Sequence, residues 1–124
     1  MSCAWQTLNQ FAGNDKELRG RAGTITVLHT HSRRLDYHPH VHIVMPAAAI
    51  SRRDRHWRTR HKAGYLFSSK ALVRVFRGKF FSRLKGQQLK IPSTPAQWVV
   101  DCQAVGQGVK AITYLGKYLY RGVL

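Results

Sequence analysis

Residues 24–45 read TITVLHTHSRRLDYHPHVHIVM, and this stretch decides the fold class. Two runs rich in β-branched residues, 24–31 and 38–45, flank the polar segment SRRLDY. β-Branched residues favour strands, and a short polar segment between two strands favours a turn. The stretch therefore predicts a β-hairpin.

The second strand of this hairpin has two chemically different faces, because successive side chains of a strand point to opposite sides. One face carries His38, His40 and His42, and the other, made of Val41, Ile43 and Met45, is predicted to point into a core. In the first strand, His29 and His31 share a face with Ile25 and Val27. The pairing register cannot be read from the sequence, so whether these two histidines share a face with His40 stays open.

The composition describes a small and strongly basic protein. The chain has 124 residues, enough for one domain, and its 21 Lys and Arg against 5 Asp and Glu give a net charge of +16. Such a charge favours a polyanionic partner, above all nucleic acid. Five dispersed carboxylates exclude chemistry that needs several clustered acids. Cys3 and Cys102 stand far apart, which indicates neither a disulfide scaffold nor a cysteine zinc site and favours a reduced cytosolic compartment.

The remaining elements are read from periodicity. Residues 4–12 are predicted as the end of a helix, followed by the polar connector GNDKELRGRAG, 13–23. SSKALVRVFRGKFFSRLKG, 68–86, has apolar residues at helical spacing, with a serine cap and a glycine stop. AGYLF and QWVVDC are predicted strands, and VKAITYLGKYLYRG, 109–122, is a final helix. This order predicts an α+β fold, an antiparallel β-sheet with helices packed on one face.

The stretch SRRDRHWRTRH, 51–61, holds seven Arg or His among its eleven residues. It has two interpretations, a solvated loop or a nucleic-acid contact in which arginines meet phosphates and the indole stacks on a base. The second assigns nucleic-acid binding to Arg52, Arg53, Arg55, Trp57 and Arg58.

The histidine strand also has two interpretations. Imidazoles two residues apart on one strand face can converge on a single cation, but alternating histidines on an exposed face are often only solvated. Imidazole ligands suit zinc, copper, nickel or manganese, and together with oxygen ligands and water they tolerate magnesium.

The last helix places two phenols beside positive charge. Tyr114 and Tyr118 lie one turn apart, at the border between the predicted buried side, Ala111, Ile112, Leu115 and Leu119, and a cationic stripe of Lys110, Lys117 and Arg121. Tyrosines border cores routinely. Taken with a metal site, however, a phenol beside cations is equipped for nucleophilic attack on a phosphodiester.

The two motifs together resemble a known family. HTHSRRLDYHPHVHIVMP and YLGKYLYRGV are similar to segments of the HUH-type transposases with two catalytic tyrosines, the rolling-circle transposases of the insertion-sequence ninety-one family. FRGKFFSRLKG and WVVDC also look like segments of those proteins. The resemblance covers residues 22–124.

The resemblance implies an enzyme with a specific chemistry. His40 and His42 would ligate a divalent metal, Mg²⁺ or Mn²⁺, and Tyr114 and Tyr118 would attack DNA and form 5′-phosphotyrosine links. The partner would be single-stranded DNA at transposon ends and at the target, in the nucleoid of the bacterial cytosol. The third metal ligand stays open among Asp36, His38, Asp101 and Gln107, and His38 is preferred because it shares the strand face of His40 and His42.

The resemblance also implies a domain division. Residues 1–22 would be a helix end and linker, and residues 23–124 a partial HUH endonuclease-like catalytic domain, because family members are longer and carry a cysteine-rich region that is missing here. A truncated, inactive remnant is one version of this hypothesis. The alternatives are a non-catalytic basic nucleic-acid-binding module and a replication-initiator or relaxase-like nickase.

Overall fold

A computed structural model describes residues 2–31, 34–35, 37–60, 66–91, 93, 98–104 and 109–120, with the backbone alone at 31, 37, 38, 111, 114 and 118–120. The elements are α1 (Ser2–Asn14), β1 (Ile25–His31), β2 (Tyr37–Val44), β3 (Ala48–Ile50), β4 (Trp57–Thr59), α2 (Ser69–Gly86) and α3 (Val109–Tyr120). None of the helices seen in these ranges has both the length and the apolar character needed to cross a bilayer.

The α+β class is confirmed, since helices combine with small antiparallel sheets. The strands form two separate two-stranded sheets, β1–β2 and β3–β4, within the described ranges, where the sequence predicted one sheet. The β1–β2 hairpin is the predicted one. Its pairs run from Ile25 opposite Val44 to His29 opposite His40.

The register of this hairpin shifts by one residue near its turn. After His29 pairs with His40, the next pair is His31 with Tyr37, so β2 uses three residues where β1 uses two. The extra residue lies in the segment that contains Pro39, which lacks the amide hydrogen that a regular ladder needs. A bulge of this kind ends the strict alternation of faces beyond His40.

The β3–β4 hairpin was missed. Part of the stretch predicted as a basic loop forms β4, which pairs with the three-residue β3. Strands this short show no readable period, and the alanines of β3 have low strand propensity. A tertiary contact supports them, because Arg21 and Ile50 exchange two backbone hydrogen bonds of 2.8 and 3.0 Å.

Two predicted strands are not present in the described part of the chain. Residues 98–102 have no strand structure, and Val99 is 92% exposed. The ring of Trp98 packs instead on three α2 side chains: Phe76, Phe80 and Phe81. For the segment AGYLF, residues 63–65 lie outside the described residues, and 66–67 are not in a strand. Aromatic packing on a helix therefore replaced strand pairing for residues 98–102.

The core lies between α1, α2 and the β3–β4 hairpin. Its buried members are Ala12, Leu18, Ala22, Ala49, Phe67 and Leu72. The predicted polar connector enters this core, since Leu18 is fully buried and Asp15 accepts hydrogen bonds from the backbone amides of residues 17 and 18. The helix α1 is longer than predicted, and the segment that follows it is a structural part of the molecule.

The helix α2 matches its prediction closely. Ser68 caps its start by accepting a hydrogen bond from the amide of Ala71, and the helix ends at Gly86. Leu72, on the predicted apolar stripe, is buried in the core, whereas Phe80 remains partly exposed beside Trp98. Capping residues and apolar spacing are local signals, which is why the sequence located this helix well.

Candidate functional site

Three histidines meet on one face of the β1–β2 hairpin. The ring centroids of His40 and His42 lie 5.0 Å apart, and those of His29 lie 5.3 Å from His40 and 5.5 Å from His42. One nitrogen of each imidazole lies within 4.8 Å of the others, and all three side chains are half-buried. We call these three residues the histidine cluster.

The hairpin register builds this cluster. His29 lies directly opposite His40, so their side chains share a face, and His42 follows two residues along the same strand. The sequence therefore predicted two members correctly as neighbours and left the third open. Only the pairing register places His29 on the same face as His40 and His42. Among the earlier candidates for the third ligand, His38 has only its backbone described, residues 36 and 107 lie outside the described residues, and Asp101 is not in the cluster.

Burial and neighbouring charge tune the cluster electrostatically. Burial lowers the pKa of His42 below its ordinary value, and the nearby imidazoles of His40 and His29 lower it further. A lowered pKa keeps the imidazole of His42 neutral at neutral pH. Neutral imidazole is the form that binds a metal ion.

The helix α3 lies against the strand that carries two of these histidines. It packs on β2, and Leu115 is buried, as predicted. The backbone positions of Tyr114 and Tyr118 lie one turn apart in this helix, and their side chains are outside the described set. The prediction that Ile112 is buried is wrong. Its side chain is 56% exposed, because α3 packs mainly on β2 rather than into a wider core.

The predicted basic residues fall on two different elements. Arg52, Arg53 and Arg55 are exposed in the loop of the β3–β4 hairpin, and Trp57 and Arg58 follow in β4. Because successive strand residues face opposite sides, Trp57 points away from the face of Arg58, and it is 62% exposed.

The cationic stripe of α3 is present in part. Lys110 and Lys117 are exposed on this helix, and Arg121 lies outside the described residues. The two basic groups belong to separate parts of the fold, the hairpin loop beside α1 and the helix beside β2.

The donor set of the histidine cluster fits a divalent cation. Three imidazoles on one strand pair match the nitrogen ligands that zinc, manganese and related ions accept. In the part of the chain that the structure describes, this is the one group of three His, Cys, Asp or Glu side chains arranged to hold an ion. Two of these donors, His40 and His42, lie on β2, the strand on which α3 packs.

Comparison with known proteins identifies the family. The family model Y2_Tnp, described as "Putative transposase", matches residues 23–124. A curated protein named "Putative transposase y4qJ", from Sinorhizobium fredii (strain NBRC 101917 / NGR234), is 29% identical over 139 residues. That alignment covers 94% of this chain and 35% of the relative, so the chain spans about a third of the relative's length. No solved structure matches the chain. From the extent of the family match, the chain belongs to the Y2_Tnp transposase family.

Proposed function

We propose that the chain cleaves and transfers single-stranded DNA, with Tyr114 and Tyr118 as nucleophiles and the histidine cluster as a metal site. The observation that carries the proposal is the packing of α3 on β2. It places the helix of both tyrosines against the strand of His40 and His42. Membership of a transposase family supplies DNA as the substrate class.

The histidine cluster would hold the divalent cation that this chemistry needs. When bound, the cation would act as a Lewis acid on the scissile phosphate and neutralise its oxygens. Mg²⁺ and Mn²⁺ are the proposed ions. Because three nitrogen donors suit manganese better than magnesium, we expect Mn²⁺ to bind more tightly.

The tyrosines would carry the covalent step. The phenol oxygen of Tyr114 or Tyr118 loses its proton and forms a bond to phosphorus, while the bond from phosphorus to the 3′ oxygen breaks and that oxygen takes up a proton. One phosphoester bond replaces another, so the step needs no nucleotide energy source. Attack by the 3′ hydroxyl reverses it.

Two tyrosines one helical turn apart suit strand exchange. One can hold a cleaved strand as a 5′-phosphotyrosine while the other cleaves a second strand, and the released 3′ hydroxyls can then attack the opposite links. The exposed Lys110 and Lys117 of α3 lie on the helix where phosphates would be held.

A covalent-adduct assay tests this proposal. The chain is incubated with Mn²⁺ and a random-sequence pool of single-stranded DNA labelled at the 3′ end, because a 5′-phosphotyrosine link retains the 3′ segment. We expect labelled protein on a denaturing gel, and mass spectrometry should locate the DNA on Tyr114 or Tyr118. Adduct formation should stop when Mn²⁺ is removed by chelation.

Matched variants give the assay its controls. Tyr114→Phe combined with Tyr118→Phe should abolish the adduct, whereas Tyr120→Phe on the same helix should leave it intact. An adduct that survives the double substitution would show that the nucleophile is misassigned. DNA binding without any adduct from the unmodified chain would favour the non-catalytic binding module.

A further inference from the structure

A basic groove lies between the end of α1 and the β3–β4 hairpin, in a different part of the fold from the histidine cluster and α3. Its volume is about 510 Å³, and four of the residues that line it are arginines: Arg19, Arg52, Arg53 and Arg58. The α1 side adds the amide side chains of Asn9, Gln10 and Asn14. None of the described residues that line it is a carboxylate. We call this the arginine groove.

The hairpin loop that supplies two of these arginines is held by its own hydrogen bonds. Ser51 accepts from the amide of Arg53 through its hydroxyl oxygen and from the amide of Arg55 through its carbonyl. The amide of Ser51 in turn donates to the carbonyl of His56. Since Ser51 is buried, the loop is anchored at its base. These hydrogen bonds therefore fix the backbone positions of Arg52 and Arg53.

The opposite wall is anchored as well. Arg19 has a left-handed backbone, with a φ of 41°, and its amide donates to the carbonyl of Asp15. This conformation is uncommon for a residue other than glycine. Arg19 follows the fully buried Leu18, so the turn that presents it is fixed to the core.

The charge balance of the groove favours an anion. The carbonyl end of α1, at Gly13 and Asn14, contributes roughly half a negative charge. Four guanidinium groups outweigh it. The carboxylate of the β3–β4 hairpin, Asp54, is exposed and does not line the groove. A hydrogen bond from the backbone amide of His56, and then one from Ser51, lowers the pKa of Asp54.

We propose that the arginine groove binds the phosphate backbone of DNA, outside the histidine and tyrosine site. Arginines with side-chain amides are the groups that contact phosphate and sugar without reading sequence. Trp57 lies on the other face of β4 and is not part of this groove, which separates backbone binding from any stacking by the indole. The groove adds Arg19 to the predicted nucleic-acid contacts. Arg55 does not line the groove and is therefore not part of this proposed contact.

Salt-dependent binding tests the groove directly. Affinity for a random-sequence single-stranded oligonucleotide is measured by fluorescence anisotropy across a salt series, in the presence of a chelator. The double variant Arg52→Gln, Arg53→Gln should reduce the magnitude of the negative slope of log K against log salt by about 1.4. Its affinity near 0.1 M salt should fall by roughly 10- to 30-fold. Arg19→Gln should reduce the magnitude of this slope by about 0.7.

A matched control removes the same charge elsewhere. Arg74→Gln combined with Lys85→Gln neutralises two exposed basic side chains of α2 that do not line the groove. This pair should change the slope by much less than the groove pair. Equal losses from the two pairs would overturn the proposal, because binding would then follow net charge alone. Circular dichroism on each variant confirms that the fold is retained.

This binding assay tests the arginine groove independently of the proposed DNA cleavage. The assay uses no divalent ion and measures no covalent product, so a chain without nuclease activity still gives a clear answer. Conversely, Tyr114→Phe combined with Tyr118→Phe should bind the oligonucleotide with an unchanged salt slope.

Discussion

The pairing of single residues across the β1–β2 hairpin decides the chemistry that the histidines can perform. His29 lies opposite His40 only because the register shifts by one residue between the His29 and His31 pairs. Had the register of the His31–Tyr37 pair continued, His40 would lie opposite Leu28, and His29 would face the other side. A cluster of three imidazoles thus depends on one irregular step in the strand pair.

The role of His29 as a metal ligand is testable by substitution. His29→Ala should weaken Mn²⁺ binding by at least about 10- to 100-fold, the loss typical of groups that only support metal ligands. His40→Ala should act similarly. Isothermal titration calorimetry measures both. The exposed His56, outside the cluster, provides the control, and His56→Ala should bind as the unmodified chain does. Unchanged affinity in the His29 variant would exclude it as a ligand.

The shifted pKa of His42 predicts a pH dependence of stability in the metal-free protein. Because its folded pKa lies below the unfolded value of about 6.5, the unfolded chain takes up a proton first as the pH falls. The stability contribution is therefore present above pH 6.5 and is lost as the pH falls toward the folded pKa. Urea unfolding from pH 7.5 to 5.5 should show a smaller loss of stability in His42→Gln than in the unmodified chain. An equal loss would contradict the assignment.

At the scale of elements, the connector after α1 packs against β3. Gly20 lies so close to β3 that a Cβ atom there would meet the carbonyl oxygen of Ile50 at 2.5 Å and its carbon at 2.7 Å. The neighbouring Arg21 pairs with Ile50 through the backbone. The absence of a side chain at residue 20 therefore lets the connector reach the β3–β4 hairpin.

Substitution of this glycine should be destabilising. Gly20→Ala forces backbone atoms apart, and we expect a loss of about 1–3 kcal/mol in the free energy of unfolding, measured by urea denaturation. Gly78→Ala is the matched control, since nothing lies within 4 Å of its Cβ position inside α2. That change should stabilise the helix by about 0.5–1 kcal/mol. If both variants had the same stability, the close approach would not constrain the fold.

At the scale of the whole molecule, one shielded ion pair joins distant segments. Arg60 donates to the carboxylate of Asp15 at 2.8 Å, and both side chains are only 15% exposed. The same guanidinium nitrogen also donates to the carbonyl of Leu66. Three segments meet there: the end of α1, the residue after β4 and the approach to α2. The pair therefore links the end of α1 to the segment that follows β4.

Removal of this pair should destabilise the whole fold. Asp15→Asn keeps the hydrogen-bond acceptor for residues 17 and 18 but leaves Arg60 without its counter-charge, and we expect a loss of about 2–4 kcal/mol. Thermal or urea unfolding measures it. Asp101→Asn, at an exposed carboxylate, should change stability by less than about 0.5 kcal/mol. A similar small change in Asp15→Asn would show that the pair does not stabilise the fold.

The sequence by itself determined the features that local spacing encodes. The β1–β2 hairpin, the capped α2 and the helix α3 were predicted from periodicity and capping, and the α+β class followed from them. The neighbouring positions of His40 and His42, and the helical spacing of Tyr114 and Tyr118, are equally local. Each depends on residues two to four apart, where backbone geometry alone sets the relation.

The tertiary structure alone decided which distant residues meet. The register brought His29 to His40, the absence of a side chain at Gly20 let the connector reach β3, and Arg19 came to line one groove with the hairpin arginines. Residues 97–102 read as a strand, yet Trp98 packs on α2 instead, because aromatic burial outweighed strand propensity. These outcomes depend on packing between different segments of the chain. A local sequence pattern does not show which other segment a residue will pack against.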